Sequence, residues 1–192
     1  MRPLALLLCT VLGPLTACVT SGGTGAANVP NLALQDVDGR TQYLSDHIGQ
    51  KVVVMSFWAT WCQPCRQELL ELQKVYDKER ERGLEVLAVS IDGPETQAGV
   101  RAFVKQYGFT FPVLLDSDTR CAALYNPRKL APMLHIFDRA GRIVFSQSTF
   151  QPGEAAALRD KILKVLRGEE KGDEEKGAGE QQKKGGEGGT EE

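Results

Sequence analysis

Between Leu32 and Gly168 the hydrophobic residues change period repeatedly, and each change marks an element. Leu32 and Leu34 alternate with polar neighbours ahead of an Asp38–Gly39 pair. Period-two apolar spacing before an Asp-Gly turn reads as a short β-hairpin. "KVVVMSFW", residues 51–58, is an almost unbroken apolar run rich in Val, the pattern of a central strand buried on both faces. Leu69, Leu70, Leu72, Val75 and Tyr76 fall close to helical spacing, which predicts a helix that stops near Gly83. "EVLAVSID" (85–92) reads as a second buried strand, and 95–107 as an amphipathic helix closed by Gly108. "FPVLLD" (111–116) is a short strand, and "TRCAALYN" (119–126) a short helix that cannot continue into Pro127. "MLHIFD", the turn "RAGR" and "IVFSQS" (133–148) form a second hairpin. A last helix runs from Pro152 to Gly168. This order, with early βαβ units followed by a hairpin and a helix, predicts an α/β domain. Its central sheet should be mixed, with helices on both faces.

The two ends of the 192-residue chain are of other kinds. "MRPLALLLCTVLGPLTAC" has one arginine and then an apolar run too short to cross a bilayer as a helix. Its close, Leu15 to Cys18, resembles the bacterial lipobox. That resemblance makes 1–17 a lipoprotein signal peptide, which takes Cys9 with it, and Cys18 the lipidated first residue of the mature protein. Acyl chains on Cys18 would anchor the protein to a membrane at about 0.8 kcal/mol per buried methylene. Residue 19 is Val rather than Asp, which by the family's sorting rule points to the outer membrane. Residues 18–30 are rich in Gly, Ser, Thr and Ala and read as a flexible tether. From Gly168 onward the chain has no aromatic residue and no aliphatic side chain larger than Ala, only dense Glu, Lys and Gly. Such a segment buries too little apolar surface to offset chain entropy, so 168–192 is expected to be a disordered charged tail. The roughly 135 residues between these ends suit one domain. With a net charge of −2 and no basic stripe, nucleic acid is not an expected partner.

The chemistry is concentrated in "SFWATWCQPC", residues 56–65, where Cys62 and Cys65 stand two residues apart. As a staple this pair would close a very small loop, which constrains the unfolded chain little. As a structural zinc site it would need four ligands, and the histidines available are only His47 and His135. A redox role fits better. Cys62 should sit where a strand passes into a helix, and unpaired N–H groups and the helix dipole stabilise a thiolate there.

WCxxC opening the first long helix after a strand is the thioredoxin layout. More narrowly, residues 52–76, with "FWATWCQPC" as their specific part, resemble membrane-tethered thiol-disulfide oxidoreductases of the TlpA/ResA type. The N-terminal hairpin, the inserted helix at 94–107 and residues 111–144 add to the likeness, which spans 30–167. The resemblance implies a thioredoxin-like fold over 31–167. Cys62 becomes the exposed nucleophile and Cys65 the thiol that resolves mixed disulfides, with Gln63 and Pro64 tuning the potential. Thioredoxin's buried Asp, six positions before the first cysteine, is replaced by Ser56, which cannot carry a proton in its place. Glu68, on the helix face of Cys65, matches a glutamate of the reductase family and is the expected proton-handling carboxylate. Pro132 aligns with the family's cis-proline. Ala131 and Pro132 would present backbone to an extended substrate segment, with Trp61 bordering that docking surface. Trp58 and Trp61 are otherwise read as packing residues. Met133 stands where the family usually has a small hydroxylated residue.

Cys121 is expected to be a buried, inert thiol, and His47 and His135 structural. No cofactor and no metal are implied. The partners implied are protein disulfide substrates and a membrane-embedded electron donor, with the protein acting as a monomer in the bacterial cell envelope. The substrates would be specific envelope disulfides, as in cytochrome c maturation. Alternatives are an oxidant or isomerase of secreted proteins, and a non-catalytic metallochaperone using Cys62 and Cys65 as soft ligands. A peroxiredoxin site is disfavoured, because the Pro and Thr it needs before its cysteine are not in place around Ala59 and Thr60.

Overall fold

The computed structural model describes residues 29–30 and 32–169. The proposed signal peptide, Cys18, most of the tether and nearly all of the charged tail lie outside them. Seven strands form one sheet in the order β2-β1-β5-β4-β3-β6-β7. They are β1 (Ala33–Asp36), β2 (Thr41–Tyr43), β3 (Val52–Trp58), β4 (Leu84–Ser90), β5 (Val113–Leu115), β6 (Met133–Phe137) and β7 (Ile143–Gln147). The helices are α1 (Gln63–Glu79), α2 (Gln97–Tyr107), α3 (Arg120–Tyr125) and α4 (Ala155–Arg167). β3, β4 and β5 run parallel to one another. β6 is antiparallel to β3, and each outer hairpin is antiparallel to its neighbours. This is the thioredoxin-like fold, with the N-terminal hairpin added beyond β5.

All seven residues of β3 and all seven of β4 are buried. Their alternate side chains therefore feed two separate cores, one on each sheet face. Val52, Val54 and Trp58 join Val86 and Ala88 against Leu69 and Leu72 of α1, Val100 of α2, and Leu158 and Ile162 of α4. Val53, Met55 and Phe57 join Leu87 and Val89 against Leu34, Leu44, Cys121 and Ala122 on the other face. Each buried Val, Leu, Ile, Phe or Met among them contributes about 1.5–3 kcal/mol, so a charge placed at Val54 or Val86 would lose that burial and find no water. Val29 packs against the second core, so the ordered packing reaches two residues into the segment read as tether.

Both hairpins turn by the same device, spelled Asp-x-x-Gly-Arg in each. Asp36 accepts from the N–H groups of Asp38 and Arg40 and from Arg40 Nε, each at 2.9 Å. Asp138 accepts from the N–H of Ala140 at 2.9 Å, the N–H of Arg142 at 3.0 Å and Arg142 Nε at 2.9 Å. Gly141 has φ +81°, and a Cβ there would meet Val29 Cγ2 at 3.2 Å. Left-handed φ and close approach both call for glycine. At the far end of α1 a single 3-10 turn, Arg80–Arg82, leads into Gly83 with φ 93°, which ends the helix in left-handed geometry and starts β4.

Candidate active site

The site is built where β3 runs out. β3 and β4 pair in parallel as far as Trp58 and Ser90, and the Ile91 N–H still reaches the Trp58 carbonyl at 2.9 Å. The chain then turns, with the Cys62 N–H donating to the Ala59 carbonyl at 3.0 Å, and α1 begins at Gln63. Cys62 is the N-cap and Pro64 lies in the first turn, a position where its missing N–H costs nothing. Cys62 and Cys65 form a disulfide with a Cα–Cα distance of 5.3 Å. The Cys65 N–H donates to Cys62 Sγ at 3.3 Å. A sulfur so placed faces the unpaired N–H groups and positive end of α1, which favour negative charge.

The exposure of the pair differs from expectation. Cys62 was expected to be exposed but is only 5% accessible, and Cys65 is fully buried. In this disulfide form the Cys62 sulfur is folded back over the first helical turn, towards Cys65 Sγ and its amide. The exposed group at this position is Trp61, 64% accessible, so it does not serve as the packing residue it was expected to be. It stands at the surface immediately before Cys62. Trp58 is the packing tryptophan, fully buried with its ring centroid 5.0 Å from that of Phe103.

Glu68 lies on the buried side of α1 and is 1% accessible. Its Oε1 accepts a 2.6 Å hydrogen bond from Ser56 Oγ. Burial pushes its pKa from the ordinary 4.5 up to about 7, while the Ser56 hydroxyl pulls the other way. Ser56 thus bears on proton handling after all, as the donor to a carboxylate supplied by the helix. From the sequence Ser56 was set aside because a serine cannot carry the proton itself; its bond to Glu68, 12 residues on, exists only once β3 and α1 are packed. Ser56 also pairs with Leu134 of β6, which brings the third part of the site alongside.

That part is the loop before β6. The Ala131–Pro132 peptide is cis, and Met133 follows in register with Phe57 at the end of β3. Asn126, buried at the close of α3, holds the loop from both sides. Its Nδ2 donates to the Leu130 carbonyl at 2.8 Å and its Oδ1 accepts from the Leu130 N–H at 2.9 Å. Met133 packs against the second core, which accounts for an apolar residue at a position where the resemblance suggested a hydroxyl.

Burial favours the neutral forms of His135 and Cys121. His135 Nε2 lies 2.7 Å from the Tyr125 carbonyl and Nδ1 2.7 Å from Ser146 Oγ, and burial keeps its pKa below the ordinary value. Burial, then the Asp116 and Asp118 carboxylates, push the Cys121 thiol far above its usual range. His47 lies 3.5 Å from Glu85, which Lys51 pairs at 2.7 Å. Among the described residues no group of three or more His, Cys, Asp or Glu side chains is placed to hold a metal ion, and no helix is long and apolar enough to cross a membrane. A cavity of about 550 Å³ lies between α1 and α4, lined by residues such as Leu72, Val75, Leu158 and Ile162. It does not include the disulfide.

A cysteine pair capping the helix after the central parallel strand, followed across the sheet by a cis-proline loop, defines a thioredoxin-like protein of the CxxC class. The chain belongs to the AhpC/TSA family, whose model matches residues 26–146. It is 37% identical over 115 residues to the thiol-disulfide oxidoreductase ResA of Bacillus cereus, covering 60% of this chain and 64% of that one. It is 35% identical over 118 residues to ResA of Bacillus subtilis, covering 62% and 64%. The chain therefore spans less than two thirds of the length of these curated relatives. Among solved structures, a Chlorobium tepidum protein described as thiol:disulfide interchange protein DsbE superposes with a TM-score of 0.64 at 32% identity. That match covers 71% of this chain and 94% of the other.

Proposed function

We propose that this protein is an extracytoplasmic thiol-disulfide oxidoreductase that reduces disulfides of particular bacterial envelope proteins through a Cys62/Cys65 cycle. The observation that carries this reading is the Cys62–Cys65 pair at the head of α1, with a protonatable carboxylate, Glu68, buried behind it. The relatives named as thiol-disulfide oxidoreductase and thiol:disulfide interchange protein, at 32–37% identity, support the same chemistry.

In the reduced protein the Cys62 thiolate attacks one sulfur of a partner's disulfide. A mixed disulfide forms, and the other partner sulfur leaves as a thiolate that takes up a proton. Cys65 then attacks the Cys62 sulfur, the intramolecular disulfide forms, and the second partner sulfur leaves. Two electrons pass to the partner. The proton lost from Cys65 is released away from water, since Cys65 is fully buried, and Glu68 is the base that takes it. Ala131 and Pro132 offer backbone to the extended partner segment, and exposed Trp61 borders the place where it docks. Extracytoplasmic compartments are oxidising, so the cycle needs a membrane-embedded donor to return the pair to its dithiol. Preparing apocytochrome c cysteines for haem is the substrate use that the TlpA/ResA resemblance suggests. The protein acts as a monomer held at the outer membrane by lipid on Cys18, so Cys18→Ala should no longer partition into detergent.

Trapping tests the reading. Cys65→Ser should accumulate mixed disulfides with partners, while Cys62→Ser should neither exchange nor trap. Failure of both variants to trap, together with no exchange by the wild type, would show the reading to be wrong. The reduction potential of the pair separates a reductase from an oxidant or isomerase.

A further inference from the structure

Asp92 lies just beyond β4 and is 5% accessible. Its carboxylate is aimed at the turn that carries the cysteines. The Thr60 N–H donates to both carboxylate oxygens, at 3.0 and 3.3 Å. The Thr60 hydroxyl donates to Oδ1 at 2.6 Å, and the Ser90 hydroxyl to Oδ2 at 2.9 Å. The placement follows from the ladder. Since the Ile91 N–H bonds the Trp58 carbonyl, the next rung of a parallel pair would send the Thr60 N–H to the Ile91 carbonyl. The Asp92 side chain takes that rung instead. Pairing with β4 is thereby extended beyond the strand, while the backbone is free to turn back from Ala59 to Cys62.

We propose that Asp92 is a positioning residue for the redox pair: its buried carboxylate locks Thr60 inside the Ala59–Cys62 turn and so fixes the Cys62 sulfur at the N-terminus of α1. This rests on the reading of Cys62 as the attacking thiol. Thr60 lies two residues before Cys62, with only Trp61 between them. Trp61 is mostly in solvent and gives the turn little packing of its own. The lock is therefore supplied by the hydrogen bonds that the Thr60 N–H and hydroxyl make to one buried carboxyl group. Losing them frees the N–H and hydroxyl of Thr60 together and lets the cap residue drift from the helix terminus that stabilises its thiolate.

The test compares the rate of Cys62 alkylation by iodoacetamide in fully reduced protein, beside urea unfolding of the same samples. Asp92→Ala should slow alkylation about tenfold in protein that is still folded, a loss within reach of a misplacement of about 1 Å. Asp92→Asn keeps an oxygen to accept from the Thr60 N–H and the Ser90 hydroxyl and turns an amide N–H towards the Thr60 hydroxyl oxygen, and should stay within about threefold of wild type. If Asp92→Ala does not fold, Thr60→Val, which removes the hydroxyl alone, should be about threefold slower and Thr60→Ser should restore the rate. The proposal is overturned if Asp92→Ala, or in its place Thr60→Val, alkylates like wild type. It is also overturned if Asp92→Asn is as slow as Asp92→Ala, since charge rather than position would then be at work. Alkylation needs no partner protein, so these outcomes are separable from a failure of the wild type to exchange disulfides, which would count against the oxidoreductase reading alone.

Discussion

Glu68 is a carboxyl group with almost no water around it, and that one fact has two measurable consequences. Its folded-state pKa, about 7, lies above the ordinary 4.5 because burial disfavours the charge. The folded protein therefore holds a proton that the unfolded chain has already released, and stability should fall as pH rises from about 4.5 to about 7. Glu68→Gln has no proton to lose. On oxidised protein, urea titrations across that range should show the variant gaining on wild type until the difference reaches about 3 kcal/mol above neutrality. A flat difference would mean that Glu68 is hydrated after all. Ser56→Ala removes the donor that favours the charged form, so it should move the wild-type pH transition further up. In reduced protein the same Glu68→Gln change should lower the apparent pKa of cysteine alkylation, because a negative neighbour is gone, and slow exchange towards the low end of the roughly 10²–10⁴ range of acid–base contributions.

At the scale of elements, the two hairpins put most of their turn chemistry on one aspartate each. Asp138→Ala would strand the N–H groups of Ala140 and Arg142 and remove one partner of the Arg142 side chain. A cost of about 1–3 kcal/mol is expected in urea unfolding, with the spectroscopic signature of the folded state unchanged. A cost near zero would mean that water replaces the carboxylate freely. The turns themselves were legible, since Asp-Gly and Arg-Ala-Gly-Arg sit between apolar runs, and so were β3, β4, α1, α2 and α4, whose periods are long and clean, while the six-residue α3 was marked by the Pro127 that stops it. The pairing of β1 with β5 was not, because strands of three and four residues carry no mark of their neighbour. The same divide runs through the site. The cysteines and the cap at Cys62 could be read from spacing on one element. The Ser56–Glu68 bond, the Asn126 clamp on Leu130 and the Asp92 rung could not, because each joins segments whose proximity exists only after packing. Cys62 was misjudged for a related reason: exposure depends on where its sulfur points, and in this disulfide form it points inward.

Across the whole molecule, the described residues contain two tryptophans in opposite surroundings, Trp58 sealed in the core and Trp61 at the surface beside the disulfide. The surface indole stands next to Cys62 in the chain, and the buried indole shares a core cluster with both cysteines. A disulfide is an efficient quencher of an adjacent excited indole, so reduction should brighten the emission, the short-wavelength part through Trp58 and the long-wavelength, water-exposed part through Trp61. Trp61→Phe should remove the long-wavelength share of the change and keep the rest, and emission that is the same in both redox states would show that neither indole lies close enough to be quenched. The protein thus carries its own optical electrode: titrated against a dithiol buffer of known potential, unlabelled protein should give its midpoint directly from the colour and intensity of its fluorescence.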